Sequence, residues 1–469
     1  MPSMKNDSTR QLEEGKVWPL VFKLTIPAVV AQLISFLYNA VDRVFVSNIP
    51  EVGMEALAAL GIVLPIAIVL QAFANLVGLG GAPRASMKLG ESKKEEANRI
   101  FNNAFVLLLI FGVTLTILCF FLARPFVIAF GCPDASVEFA VSYLKAYSAG
   151  ILFVMVGQGL NSFITAQGKS FLAMVSILIG AVLNIGLDPL FIYVLNLGVA
   201  GAAWATVISQ FVSFVWIVST FFRKSSQFRF SFKDMAPSGK AIGSIFSLGL
   251  SPFIMTATEC LIQIVFNVNL NWASGGNKDF TAAMTIMLSA LQLISLPLNG
   301  MGYGMQPFVS YVYGKGNTKR LKEGIRDVTI LAFAYAIVTW SLSLFFPQIY
   351  AIIFSASPEV AALVKTYTPF FLMGSIMFFV QMTLQNVNVA LGQAKSSLFL
   401  AVFRKVIVLI PLCFLLGHYL GCYGVYLSEG IADFLAGAVT TVTFLITFPR
   451  IMKKREKEIQ ESSSQQKEA

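Results

Sequence analysis

The chain has 469 residues, 56% of them hydrophobic and only 12% charged, whereas a soluble protein carries about 25% charged residues; a string of soluble domains is excluded. Its formal charge of +10 does not point to nucleic acid, because the lysines and arginines sit in short segments between apolar runs and form no basic domain or aromatic-interleaved patch. A single histidine, His418, and five cysteines without a C-x-x-C pair argue against a histidine-ligated metal centre or a Ser-His-Asp hydrolase, so no enzyme, metal or cofactor is expected.

Taken in order, residues 1–20 form a polar tail. The run from Leu24 to Ile49 is then long enough to cross a bilayer, yet it carries Asp42 near its far end. Apolar runs beginning near residues 24, 56, 100, 139, 170, 201, 242, 282, 327, 361, 396 and 424 predict twelve spans. With the N-terminus inside, the cytoplasmic segments collect Lys5, Arg10, Lys16 and Lys23, then Arg84 to Arg99, Lys169, Arg223 to Lys240, Lys315 to Arg326, the group Lys395, Arg404 and Lys405, and the tail from Arg450. The opposite side holds essentially Arg124 and Lys278. That asymmetry places both termini in the cytoplasm.

The polar segment 223–241 reads as a cytoplasmic linker between two lobes, 21–222 and 242–448, and 449–469 as a solvated, poorly ordered tail. A shift of about 224 aligns Pro83, Ser86 and Gly90 with Pro307, Ser310 and Gly314, and nearby shifts align Pro27 with Pro252 and Gly198/Gly201 with Gly421/Gly424. Six spans per lobe give both lobes the same orientation, so the expected fold is an all-α polytopic membrane protein: twelve transmembrane helices in two six-helix lobes related by a parallel pseudo-two-fold repeat. A cavity between such halves is the expected substrate site, with Pro27 and Pro252 as kinks in the first and seventh spans.

Helical rise converts position into depth. Asp42, Asp188 and Glu259 each lie about 26 Å above the inner face, and Thr206, Glu429 and Asp433 enter the same outer layer from descending spans. Asn39 and Asp42 are three apart and Asn184 and Asp188 four apart, so each pair shares a helical face. Two acids at one depth repel when both are ionised, which favours proton chemistry over a merely structural pair. Arg43 projects about 100° away from Asp42 and is given no role. In the second half Glu259, Gln263 and Asn267 make one polar stripe and Gln381, Gln385 and Asn388 another. With Gln292, Asn299 and Met287 they are the candidates for lining a substrate cavity, the methionine because a soft side chain repacks around many shapes.

Twelve spans in two parallel halves, the first-span pattern from Pro27 through Asn39 to Asp42, LNIGLDPLFI at Leu183 to Ile192, and LGVAGAAWA at Leu197 to Ala205 before Thr206 together resemble the MATE family of multidrug and toxin extrusion transporters, in its DinF-like and MepA-like bacterial branches. The resemblance implies rocker-switch efflux of amphipathic, often cationic compounds in exchange for H+ or Na+. Asp42, Asn184, Asp188 and Thr206, with Asn39, match the coupling cluster, and a Na+ would use the first four. Glu259 matches a seventh-span acid that other branches use for a second cation site. Here the tenth span supplies amides where that site requires a carboxylate. The implied partners are small-molecule drugs or organic cations and the lipid bilayer of a bacterial cytoplasmic membrane, with one copy sufficing for function. The rival within the superfamily is a flippase of lipid-linked oligosaccharide, which calls for a more basic cavity. Cysteines substituted at Lys93 and Lys322 should label from the cytoplasmic side only, and labelling of either from outside intact cells would contradict the twelve-span layout.

Overall fold

Backbone N–H and C=O groups in hydrocarbon have no water to bond, and the α-helix satisfies them within one segment. The computed structural model describes residues 7–50 and 52–468, and among these there is no strand. Lys5 and the side chain of Cys260 lie outside the described residues, as do side chains from Ser462 onward.

Among the described residues nine helical stretches are long and apolar enough to cross a membrane: Val17–Ser47, Gly53–Gly90, Lys94–Phe121, Ser170–Val194, Gly198–Phe222, Gly239–Ala273, Lys278–Lys315, Thr318–Phe345 and Ala394–Glu461. Two more spans, the fourth and tenth, are bent pairs: Asp134–Ser148 with Ile151–Ala166 at 56°, and Pro358–Phe371 with Met373–Ala390 at 40°. The last stretch, 68 residues long, breaks at Gly421, whose φ of 61° and ψ of −145° only glycine adopts readily. It is therefore two spans, the eleventh and twelfth, which brings the spans among the described residues to twelve. The ninth span begins well before its apolar run because Asn317 caps it, accepting from the Arg320 N–H at 3.1 Å, and adds charged turns to its start.

The repeat is visible in the backbone. Positive φ recurs at Ser92 and Gly316, at Gly168 and Gly392, and at Gly198 and Gly421, close to the offset read from the sequence. The fifth and eleventh spans each contain a π-helical stretch, Leu190–Val194 and Phe403–Leu409. Gly80 and Gly304 are repeat mates that admit close helix crossings: a Cβ on Gly80 would strike the seventh-span backbone at Ile245 and Gly249, and one on Gly304 the first-span backbone at Leu24 and Thr25.

The compact units do not part at 223–241. One contains Val30–Ala257, the other Leu12–Val29 together with Thr258–Ala469. The first and seventh spans each change unit shortly after their internal prolines, Pro27 and Pro252. A lobe boundary drawn at the linker misses this because long helices, not loops, carry the transition.

Within the first unit the linker is fixed by the third span. The buried Asn102 amide donates to the Arg229 carbonyl at 3.0 Å and its oxygen accepts from the Ser231 N–H at 3.0 Å. Asn103 does the same with the Asp234 carbonyl and the Ser238 N–H, each at 2.9 Å. Phe101 packs between Phe221, Phe228 and Phe230 at 4.8, 5.4 and 5.2 Å.

In the second unit the tail differs from expectation. The twelfth span continues as helix through Glu468, and Arg455 donates to the Tyr313 and Gly314 carbonyls at 3.1 and 2.5 Å, satisfying groups at the end of the eighth span. The polar composition that suggested disorder supplies instead the i,i+3 pair Arg455–Glu458 at 3.0 Å, which favours helix. Replacing Asn102 or Asn103 by alanine should cost about 1–3 kcal/mol each, since each leaves linker backbone groups unsatisfied. The readouts are a lower midpoint in detergent-solubilised thermal unfolding and faster proteolysis within 223–241.

Candidate functional site

The fifth span turns Asn184 and Asp188 to one face, and there the Asn184 amide donates to Asp188 Oδ1 at 3.1 Å and to Thr206 Oγ1 of the sixth span at 3.4 Å. Asp188 is completely buried and Asn184 nearly so. The Thr206 hydroxyl donates to its own Ala202 carbonyl at 3.0 Å, and Tyr143 of the fourth span lies beside Thr206. Asp42, past the point where the first span enters this unit, acts electrostatically on both Asp188 and Tyr143. What holds the two spans in register is Tyr193, which follows Asp188 on the π-helical stretch and donates to the Phe45 carbonyl at 2.6 Å.

The structure thus brings together Asp42, Asn184, Asp188 and Thr206. Asn39 is placed differently: it is exposed, and its amide donates to its own Ser35 carbonyl at 2.6 Å. Asp42 Oδ1, Asn184 Oδ1 and Asp188 Oδ2 are buried and accept no hydrogen bond. Two carboxylates, an amide oxygen and a hydroxyl form a hard oxygen set suited to a proton or a small monovalent cation. Among the described residues no three His, Cys, Asp or Glu side chains converge as a multivalent metal site would require.

The second unit departs further from expectation. Arg404 and Lys405, read as loop cations, are buried inside the eleventh span. Arg404 donates to Asp433 Oδ1 at 2.7 Å and to Glu429 Oε1 at 2.8 Å, while Lys405 pairs with Glu259. The Lys405 side chain is 5% exposed and that of Glu259 54%. Arg404 lies ten residues into a span that begins at Ala394, about 15 Å along its axis; the depth arithmetic used for the acids would have found it. Of the other cavity candidates, Gln263 and Gln292 are exposed and Asn299 is half-buried. Gln381, Gln385 and Met287 are buried within the unit. Tyr143 and Tyr193 were missed because a tyrosine in an apolar run carries no spacing signal.

Comparison with known proteins places this geometry in a family. The family model MatE matches residues 27–190 and again 253–415, one match in each half, and the chain belongs to that family. It is 26% identical over 449 residues, 95% of this chain and 96% of the relative, to the multidrug export protein MepA of Staphylococcus haemolyticus. A solved structure described as MATE in the straight conformation superposes with a TM-score of 0.86 at 26% identity, covering 96% of this chain and all of that one. An outward-facing multidrug resistance MATE family transporter gives 0.88 at 24% identity, covering 95% and 99%.

The Lys405–Glu259 pair is energetically lopsided. Glu259→Gln strands a buried ammonium and should destabilise by about 3 kcal/mol, whereas Lys405→Met leaves a half-exposed carboxylate that water can solvate and should cost less. Thermal unfolding of the two single variants and the double variant tests this, with the double expected to recover most of the Glu259→Gln loss.

Proposed function

We propose that the chain is a multidrug efflux antiporter of a bacterial cytoplasmic membrane, exporting amphipathic, often cationic compounds against inward H+ through rocker-switch alternating access. The observation that carries this reading is the cluster of Asp42, Asp188, Asn184 and Thr206, with three buried oxygens lacking a partner. Two mutually repelling carboxylates there are relieved by binding positive charge, up to one proton each, and strained again by losing it. A site with that property can be emptied and filled as its exposure changes, which is what exchange requires. Na+ suits the same oxygens and is the competing ion. Drug export, stated in the name of the MepA relatives, is consistent with this cluster. The flippase alternative gains nothing from Arg404 and Lys405, because each is tied to carboxylates. Both termini are cytoplasmic in this reading, and one copy suffices.

Everted vesicles loaded with a fluorescent cationic dye test the proposal, energised separately by a pH gradient and by a sodium gradient. Dye movement should follow the pH gradient, and Asp42→Asn and Asp188→Asn should each reduce it to background with membrane insertion unchanged, because asparagine keeps the shape and removes the titration. Either variant pumping at wild-type rate at matched expression would return these acids to a structural role.

A further inference from the structure

The eleventh and twelfth spans bury a charge group that the coupling cluster does not use. Glu429 and Asp433 are four residues apart on one helical face and are 2% and 0% exposed. The Arg404 guanidinium lies between them, donating to one oxygen of each at 2.8 and 2.7 Å, with the Phe378 ring 5.3 Å from its centre. Arg404 is carried on the π-helical stretch Phe403–Leu409, a wide turn of the kind often found where a side chain is re-aimed at a functional position.

The charges do not balance. Lys405 and Glu259 neutralise each other, which leaves one guanidinium facing two carboxylates. Their second oxygens, Glu429 Oε2 and Asp433 Oδ2, are buried and accept no hydrogen bond. The charged groups acting on these acids are Arg404, Lys405, Glu259 and each other. The packed tenth-span segments Met373–Met377 and Phe378–Ala390 bring no ionisable side chain, while Glu359 and Lys365 of Pro358–Phe371 and Lys395 of Ala394–Val402 are exposed. Cys413, beside Ser428, is the other titratable neighbour of Glu429. An uncompensated carboxylate buried in an apolar bundle is strongly unfavourable. Among the described residues no three acids, cysteines or histidines converge as a multivalent metal site would require, and a single proton is enough to neutralise the excess.

We propose that Arg404, Glu429 and Asp433 form a second proton-binding site, in the half of the chain that lacks Asp42 and Asp188. One proton forms an O–H bond at Asp433 Oδ2 or Glu429 Oε2, the guanidinium keeps the two inner oxygens, and the triad passes from one net negative charge to none. Loss of that proton restores the charge. Binding in this half then adds to whatever the first half exchanges, and it uses twelfth-span acids in place of a tenth-span carboxylate.

Infrared titration of the purified full-length protein tests this by the C=O stretch of protonated carboxylic acids, identified by its shift in D2O. In an Asp42→Asn/Asp188→Asn background one protonated carboxyl per chain should be seen at neutral pH and should disappear as the pH is raised. The same band should be lost in Glu429→Gln and equally in Asp433→Asn, since either change leaves one guanidinium facing one carboxylate. If the background variant does not purify, wild type minus Glu429→Gln and wild type minus Asp433→Asn give the same reading. Absence of the band, or its survival in both single variants, would overturn the proposal without touching the first-half cluster.

Discussion

Every functional feature of this chain follows from one constraint: a charge placed at the depth of hydrocarbon must be neutralised by something close to it. Insertion of a single Asp, Lys or Arg at a span centre costs about 2.5–3.5 kcal/mol, and an unpaired charge inside the bundle costs several kcal/mol. The first unit meets the constraint with a neutral donor, the Asn184 amide, which bonds Asp188 without cancelling its charge. The second meets it with Arg404 and Lys405, which cancel all but one. A site softened by neutral groups is free to exchange a small cation, whereas one locked by guanidinium is held in place and retains at most a proton.

The two halves share a scaffold and divide the chemistry. Gly80 and Gly304 allow the same close crossing, positive φ recurs at equivalent turns, and the fifth and eleventh spans both widen into a π-helical stretch. Beyond the fold the correspondence ends. The fifth span carries its acid just before its wide turn, while the eleventh carries two cations within it. Backbone geometry is thus retained where helices must touch, and side-chain chemistry is varied where they must act.

The spans were legible in the sequence because a bilayer imposes a length of about 20 apolar residues on each, and the repeat because glycine is required at fixed turns. Asn184 and Asp188 were found through helical spacing and depth. Arg404 and Lys405 were misplaced for a physical reason: orientation statistics assign basic residues to loops, and nothing local in an Arg-Lys pair reveals acids on the next span. The transition of the first and seventh spans between compact units was also hidden, since a proline inside a long helix predicts a kink but not which neighbours each half of the helix meets. The helical tail was missed because composition alone ignores the carbonyls of Tyr313 and Gly314 waiting for a donor.

The central claim is that Asp42 and Asp188 exchange protons for the exported compound. If both release a proton per cycle while one monovalent cation leaves, one net charge crosses the membrane, and the potential contributes about 2.3 kcal/mol per 100 mV. The most direct measurement is export of tetraphenylphosphonium from proteoliposomes at zero pH gradient under an imposed potassium-diffusion potential. This account predicts transport that follows the sign of the potential in the wild type and is lost in Asp188→Asn. Transport indifferent to both proton gradient and potential, but driven by sodium, would contradict it.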